Sequence, residues 1–239
     1  MAANDPSVHR VVTLRLRLDI PSVVKSGSSV WLHCDYDLEM DSLYSVKWYK
    51  NNLEFYRYMN EPDSTPGAPI QRVFNQIGVY VEMSKSNSTH VFLKTTDLNT
   101  EGTYMAEVST TTFESVKRLK DLRIFVLPQR EIQIIGSKPE YKMGEDVLNL
   151  TCMATKSKPV QILAWFVNGL RVVGNDPRIN LSHPDIDVTS DGLVSSSLGI
   201  SLSLLSNDHH LSNGVLALRY TSYTSTIIPI HTLCTHIMQ

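Results

Sequence analysis

The sequence predicts an all-β protein made of two tandem β-sandwich domains, and three observations support this. Apolar and polar residues alternate over short runs, turn-forming clusters separate the runs, and one Cys-to-Trp spacing occurs twice. Alternation with a period of two places successive side chains on opposite faces of a half-buried strand. No run has the period of a substantial helix. Short strands joined by turns are typical of an antiparallel sandwich or barrel.

The first half of the chain contains the clearest strand patterns. The alternating apolar positions are Leu14, Leu16 and Leu18; Val30, Leu32 and Cys34; Val46 and Trp48; Val91 and Leu93; and Leu122, Ile124 and Val126. Turn-forming residues separate these runs at 25–28, 51–52, 61–69 and 99–102. We therefore expect each run to be one strand.

The pattern is interrupted at 127–130, which includes a proline, and then restarts. The later apolar positions are Ile132 and Ile134; Leu148, Leu150 and Cys152; Leu163 and Trp165; Leu198, Ile200, Leu202 and Leu204; and Leu216, Leu218 and Tyr220. We predict a first domain over 1–127, with the spacing of a variable-type domain, and a second over 128–239. The second has an atypical C-terminal end, because 222–239 has no clear strand pattern.

Composition and charge exclude several classes of protein. The chain has 239 residues, of which 42% are hydrophobic, so it can fill packed cores. Its formal net charge of -2 gives no overall basic field for non-specific nucleic-acid binding. The apolar runs fall far short of the roughly 18 residues that a membrane span needs. Residues 1–10 lack the apolar stretch of a secretory signal, so we expect a cytosolic protein or a chain without its true start.

The repeated cysteine and tryptophan identify the kind of sandwich. Trp48 follows Cys34 by 14 residues, and Trp165 follows Cys152 by 13. In an immunoglobulin sandwich, a Cys on strand B precedes a Trp on strand C that packs against the inter-sheet disulfide. The segment 98–104 is typical of the turn into strand F, where a tyrosine corner bonds back to the main chain. The predicted core anchors are Cys34, Trp48, Tyr104, Cys152 and Trp165.

The usual second cysteine is missing from both domains. Ala106 occupies its position in the first domain, and Tyr220 occupies the matching position in the second. Cys234 lies beyond strand F. We therefore expect no disulfide, with Cys34 and Cys152 buried and unpaired. Both domains should be less stable than a disulfide-bonded relative, because removing such a bridge costs about 2–5 kcal/mol.

Some segments are similar to a known family beyond the fold itself. Three segments resemble the first immunoglobulin domain of the beaten path family: 34–39 (CDYDLE), 43–50 (LYSVKWYK) and 54–58 (EFYRY). The members of this family are insect axon guidance proteins. The second domain of that family is similar to residues 149–152, 157–159 and 165–169. The resemblance implies a cell-surface or secreted protein of neurogenesis that binds a Sidestep-type receptor by heterophilic adhesion.

Three departures from that family leave alternatives open. The strand-F cysteines and a signal peptide are absent, and the pattern weakens after about Tyr220. The chain is then a diverged member, an incomplete sequence, or a copy that has lost its function. An intracellular structural immunoglobulin protein is a further alternative, because reducing compartments favour domains without disulfides.

An aromatic run marks a candidate binding surface. With Trp48 facing the core, Tyr49 and part of 55–58 should face outward. Tyr and Arg are enriched among the residues that dominate interface energies. The alternative is that half of these rings belong to the core and the rest are scattered surface residues. The predicted partner-binding residues are Tyr49, Phe55, Tyr56, Arg57 and Tyr58.

The remaining motifs carry weaker signals. Asn87, Asn149 and Asn180 fit the N-glycosylation rule, although a chain rich in Ser and Thr produces such triplets by chance. His231, Cys234 and His236 resemble a metal trio but have no fourth ligand nearby. No nucleophile elbow or phosphate-binding loop is present in the sequence. We expect no metal, no cofactor and no catalysis.

Overall fold

A computed structural model describes residues 14–60, 69–138, 141–142, 144–173 and 176–204, together with the main chain of 216–223 and 232–238. The chain divides into two compact units, Met1–Phe125 and Val126–Gln239. This division lies two residues before the boundary predicted from the sequence. No helix among the described residues is long and apolar enough to cross a membrane.

Unit 1 is a sandwich of two sheets. Its strands are β1 (Arg15–Asp19), β2 (Val23–Lys25), β3 (Val30–Asp37), β4 (Leu43–Lys50), β5 (Leu53–Met59), β6 (Ile70–Val73), β7 (His90–Leu93), β8 (Gly102–Thr110) and β9 (Ser115–Phe125). One sheet has the order β1-β3-β7, and the other has the order β2-β9-β8-β4-β5-β6. Two extra strands beyond β4 are the arrangement of a variable-type immunoglobulin domain. The predicted all-β fold is confirmed.

The core of unit 1 lies between these sheets and follows the predicted alternation. Along β3, Val30, Leu32 and Cys34 are buried, and along β8 Tyr104, Ala106 and Val108 are buried. Trp48 is fully buried and lies opposite Ala106 in the β4–β8 register. Strand alternation thus sends one set of side chains into the core and leaves the other set on the outer surface.

A short 3-10 turn (Leu98–Thr100) leads into β8 and forms the tyrosine corner. Asp97 caps this turn, since its side chain accepts a hydrogen bond from the Thr100 amide at 3.0 Å. The Tyr104 hydroxyl donates to the Thr100 carbonyl at 2.7 Å. A buried hydroxyl therefore has a main-chain acceptor. A second 3-10 turn (Met83–Lys85) precedes β7.

Unit 2 is also a two-sheet sandwich. Its strands are β10 (Gln133–Ile135), β11 (Val147–Ser157), β12 (Ile162–Val167), β13 (Leu170–Arg171), β14 (Ile179–Leu181), β15 (Asp185–Val188), β16 (Val194–Ser203), β17 (Leu216–Tyr223) and β18 (Thr232–Met238). One sheet has the order β10-β11-β16-β14, with β15 also pairing β16, and the other has the order β13-β12-β17-β18. Cys152 and Trp165 are buried in its core, where the Trp165 indole N–H donates to the Leu198 carbonyl at 2.9 Å.

The end of unit 2 is more regular than the sequence pattern indicated. The segment after Tyr220, for which we expected no clear strand, contains β18, which pairs antiparallel with β17. Cys234 lies on β18 opposite Tyr220. Main-chain pairing supports this strand even though its side chains follow no clean alternation, and for this reason the pattern missed it.

Candidate partner-binding face

The outer face of the six-stranded sheet of unit 1 collects charged and aromatic side chains. On β4, Trp48 is buried while Lys47 and Tyr49 are only partly covered. On β8, the buried residues alternate with Met105 and Glu107, which are also partly exposed. Alternation therefore places Lys47, Tyr49, Met105 and Glu107 on the side of the sheet away from the core.

The strand register aligns these side chains in two neighbouring rows. One row crosses five strands and carries four cations and one carboxylate: Lys117, Glu107, Lys47, Arg57 and Arg72. The next row is Leu119, Met105, Tyr49 and Glu54. We call these nine residues, together with the neighbouring Phe74, the basic face.

Tyr49 is fixed at the centre of the basic face. Its hydroxyl donates to Glu107 Oε2 at 2.8 Å, and Lys117 Nζ lies 3.4 Å from Glu107 Oε1. Partial burial and the hydrogen bond to Glu107 raise the pKa of Tyr49 above its usual range. Tyr49 is therefore a neutral donor at physiological pH, and its ring orientation is set by the carboxylate.

Arg57 is held by two charge-assisted hydrogen bonds. Its Nε lies 2.6 Å from Glu54 Oε1, and its second terminal nitrogen lies 2.7 Å from Glu54 Oε2. The guanidinium carbon is 5.5 Å from the centroid of the exposed Phe74 ring. Bidentate pairing and stacking on a ring fix the plane of the guanidinium.

Two further cations, Lys47 and Arg72, complete the basic face. Within the described parts of the chain, neither Lys47 nor Arg72 has an ion-pair partner. With four cations and two carboxylates, the basic face has a formal charge of about +2, although the whole chain carries -2. The chain therefore concentrates positive charge on this surface.

Three of the five residues predicted to bind a partner, Phe55, Tyr56 and Tyr58, lie on the core side of β5. Phe55 and Tyr56 are fully buried, and Tyr58 packs against the core. Tyr56 and Tyr58 share the inward side of the β4 residues with which they pair. Phe55 faces inward because of a β-bulge, since Tyr49 pairs with Glu54 and leaves Phe55 as an extra residue on β5. A bulge places two consecutive side chains on the same side of the strand.

Buried contacts show how these rings serve the core. Phe55 packs edge-on against Tyr104, with ring centroids 5.9 Å apart. The Tyr56 hydroxyl donates to the Asn87 carbonyl at 3.1 Å, and burial raises the pKa of Tyr56. Of the five residues predicted to bind, Tyr49 and Arg57 are the two that lie on the basic face.

The cysteine anchors lie inside both units. Cys34 is fully buried with a free thiol, and its Sγ is 3.5 Å from the Ser88 carbonyl. Burial, with a smaller contribution from Asp35, raises the pKa of Cys34 to about 12. Cys152 is buried in unit 2. Tyr220 lies opposite Trp165 in the register, which is the position that Ala106 has opposite Trp48.

The predicted modification and metal positions divide between described and undescribed residues. The Asn87 side chain accepts hydrogen bonds from the Thr89 amide at 2.8 Å and from the Thr89 hydroxyl at 3.0 Å. Asn149 on β11 and Asn180 on β14 are exposed. Of the metal trio, His231 and the side chains of Cys234 and His236 lie outside the described residues. No group of three potential ligands is assembled among the residues that are described.

Sequence reasoning missed most of the basic face and a second aromatic group. Four residues share the basic face but lie on β8 and β9, outside the aromatic run that the sequence marks: Met105, Glu107, Lys117 and Leu119. The second group lies on the outer side of the three-stranded sheet and consists of Trp31, His33, His90 and Phe92. The sequence does contain a signal for this group. Inward residues at 30, 32 and 34 and at 91 and 93 predict that the residues between and beside them, at 31, 33, 90 and 92, face outward.

Comparisons with known proteins agree with this architecture. No family model matches the chain. Human OX-2 membrane glycoprotein is 28% identical over 140 residues, covering 59% of this chain and 46% of that protein. The match thus spans about half the length of this relative. The crystal structure of murine CEACAM1b aligns with a TM-score of 0.52 and 11% identity, over 88% of this chain and 93% of that chain. The topology and this likeness define a protein with immunoglobulin-like domains.

Proposed function

We propose that the chain is a non-catalytic cell-recognition protein and that the basic face of unit 1 binds its protein partner. The observation that carries the proposal is the row of Lys47, Arg57 and Arg72, which places three cations on one sheet face beside the fixed ring of Tyr49. Similarity to a membrane glycoprotein supports a location at the cell surface.

The composition of the basic face favours a partner with an acidic surface. Unneutralised cations attract acidic groups over long distances and orient the approaching partner. The neighbouring row supplies apolar area, because Leu119 has an exposed fraction of 68% and lies next to Met105, which in turn lies next to Tyr49. An apolar row beside a charged row matches the usual division of an interface into a dry centre and a polar rim.

For the particular partner, we propose a Sidestep-type receptor in axon guidance. Support comes from the resemblance of residues 43–50 and 54–58 to the beaten path family. These two segments form most of β4 and β5, and they supply Lys47, Tyr49 and Arg57 to the basic face. The residues that carry the resemblance therefore coincide with the surface proposed to bind.

A charge reversal on the basic face tests the function. We expect Arg72→Glu, on the edge strand β6, to weaken binding to a Sidestep-type ectodomain by about tenfold or more, mainly through slower association. The matched control is Arg17→Glu, which makes the same change on exposed β1 of the other sheet. Surface plasmon resonance gives both rate constants, and circular dichroism checks that the variants are folded.

The outcomes of this experiment separate the partner from the surface. Equal losses in Arg72→Glu and Arg17→Glu would contradict the basic face as the binding surface. Absence of Sidestep-type binding, with binding to another cell-surface ectodomain that Arg72→Glu weakens, would reject the receptor class and keep the surface.

An intracellular structural role is a second candidate, favoured by the free buried thiol of Cys34. A domain whose core holds a reduced cysteine does not depend on an oxidising compartment. Occupied N-glycans on protein from the native tissue would contradict this candidate, because cytosolic chains do not receive them.

A further inference from the structure

Unit 2 has an outer sheet face that differs sharply in chemistry from the basic face. Along β16, Ser196, Leu198, Ile200 and Leu202 are buried. The alternate residues therefore lie on the outer side, and all are small: Ser195, Ser197, Gly199, Ser201 and Ser203. We call this surface, with its neighbours on β11 and β14, the serine face.

Both N-glycosylation acceptors of unit 2 lie on the serine face and in the same row. Asn149 on β11 pairs with Ser201, and Asn180 on β14 pairs with the same Ser201 from the other side. Both asparagines are exposed. Because they are two strand spacings apart, their main chains are separated by about 10 Å.

The surroundings of this row suit a carbohydrate cover. The neighbouring outward residues of β11 are Val147, Thr151 and Met153, and none of them is charged. Small hydroxyl side chains between the two asparagines leave room above the sheet for sugar rings. A bare serine-rich face with exposed Val147 and Met153 would otherwise contact solvent directly.

We propose that Asn149 and Asn180 both carry N-linked oligosaccharides, and that these together shield the serine face from protein partners. The inference rests on the proposed extracellular function, since the donor is a lipid-linked oligosaccharide pyrophosphate of the secretory pathway. The asparagine Nδ2 forms a bond to C1 of the first N-acetylglucosamine. The bond from C1 to the pyrophosphate oxygen breaks, and the lipid pyrophosphate leaves while Nδ2 loses one proton.

Intact mass measurement tests the modification. The full chain is expressed in insect cells behind a heterologous cleavable leader, so that it enters the secretory pathway in every case. We expect the wild type to carry two glycans on unit 2, Asn149→Gln and Asn180→Gln to lose one each, and the double variant to lose both. The glycan count at Asn87 in unit 1 should be the same in all four proteins, which makes it the internal control. Unmodified Asn149 or Asn180 in the secreted chain would overturn the proposal.

Methionine oxidation tests the shielding separately. Met153 is 39% exposed on β11, four residues from Asn149 along the strand, and Met40 of unit 1 is 84% exposed. With a methionine oxidant attached to a protein-sized carrier, we expect Met153 to oxidise several-fold faster after enzymatic removal of the glycans, and Met40 to oxidise at the same rate in both forms. Equal Met153 rates would contradict the shielding. Neither result changes the affinity loss expected for Arg72→Glu, so failure here is distinct from failure of the proposed function.

Discussion

The two units build the same tryptophan-centred core with different hydrogen bonds. In unit 2, the Trp165 indole N–H donates to the Leu198 carbonyl at 2.9 Å. In unit 1, the Trp48 indole N–H is buried and has no hydrogen-bond partner among the described residues. The Trp48 ring is fully buried, as the Trp165 ring is. Packing of the indole, more than its hydrogen bond, is what the two units share.

The residue opposite each tryptophan differs as well. Ala106 lies opposite Trp48 and Tyr220 opposite Trp165, where an immunoglobulin domain usually has a cysteine. The tyrosine corner also differs, because the register places Leu218 in unit 2 where unit 1 has Tyr104. The two units therefore carry different residues at the position of the missing cysteine, and substitutions in each unit can be compared.

The largest effect is expected from restoring the cysteine in unit 1. Ala106→Cys places a second thiol in the same core as Cys34, and an oxidised bridge should stabilise unit 1 by about 2–4 kcal/mol. Ala106→Ser is the control of similar size. Thermal unfolding with and without reductant, with thiol counting by mass spectrometry, measures the gain. The variant has four thiols, and a count that stays at four after oxidation, instead of falling by two, would show that the two sites are not positioned for a bridge.

The second comparison removes the indole N–H from each core. Trp48→Phe and Trp165→Phe both leave a cavity, but Trp165→Phe also leaves the Leu198 carbonyl without its indole donor. We expect Trp165→Phe to cost about 1–2 kcal/mol more than Trp48→Phe. Native-state hydrogen exchange measures the loss of protection in each unit of the same chain. Equal losses would mean that this hydrogen bond contributes no net stability.

The tyrosine corner gives the third effect. Tyr104→Phe removes the hydroxyl that donates to the Thr100 carbonyl at 2.7 Å and should destabilise unit 1 by about 1 kcal/mol. Tyr44→Phe is the control, since Tyr44 is an exposed residue of β4. Denaturant titration compares the two variants. A loss confined to Tyr104→Phe is expected, and equal midpoints would contradict the role of the corner.

The smallest effect is a pH dependence on the outer side of the three-stranded sheet. Burial and the neighbouring His33 ring, 5.7 Å away, lower the pKa of His90 below 6.5. The unfolded chain therefore binds the proton more readily, and stability falls as the pH drops from 6.5 toward the folded pKa. Asp19 lies opposite His33 in the β1–β3 register. His90→Gln should flatten the melting temperature between pH 7 and 5.5; unchanged pH dependence would contradict this assignment.

The sequence was sufficient for the sandwich but not for the details of its surface. Alternation at 30–34 and 46–48 predicted which residues are buried, because one buried face imposes a period of two. The same rule failed at Phe55, where one extra residue in β5 changes the face of every residue before it. A bulge depends on pairing with another strand, so the local pattern contains no sign of it.

The basic face could not be predicted from the sequence for a related reason. Lys117, Glu107 and Arg72 are distant in sequence from Tyr49, and they become neighbours only through the strand register. Local patterns predict which way a side chain points. They do not predict which charges from other strands lie beside it, and these charges determine the chemistry of the face.

The buried thiol of Cys34 has a practical consequence for studying the molecule. Alkylating reagents react with the thiolate, and a pKa of about 12 leaves almost none of it at neutral pH. Alkylation of Cys34 should therefore occur only during transient opening events that expose the interior of unit 1 to solvent. The alkylation rate of Cys34 then reports how often unit 1 opens. This measurement works in dilute solution and needs no probe added to the chain.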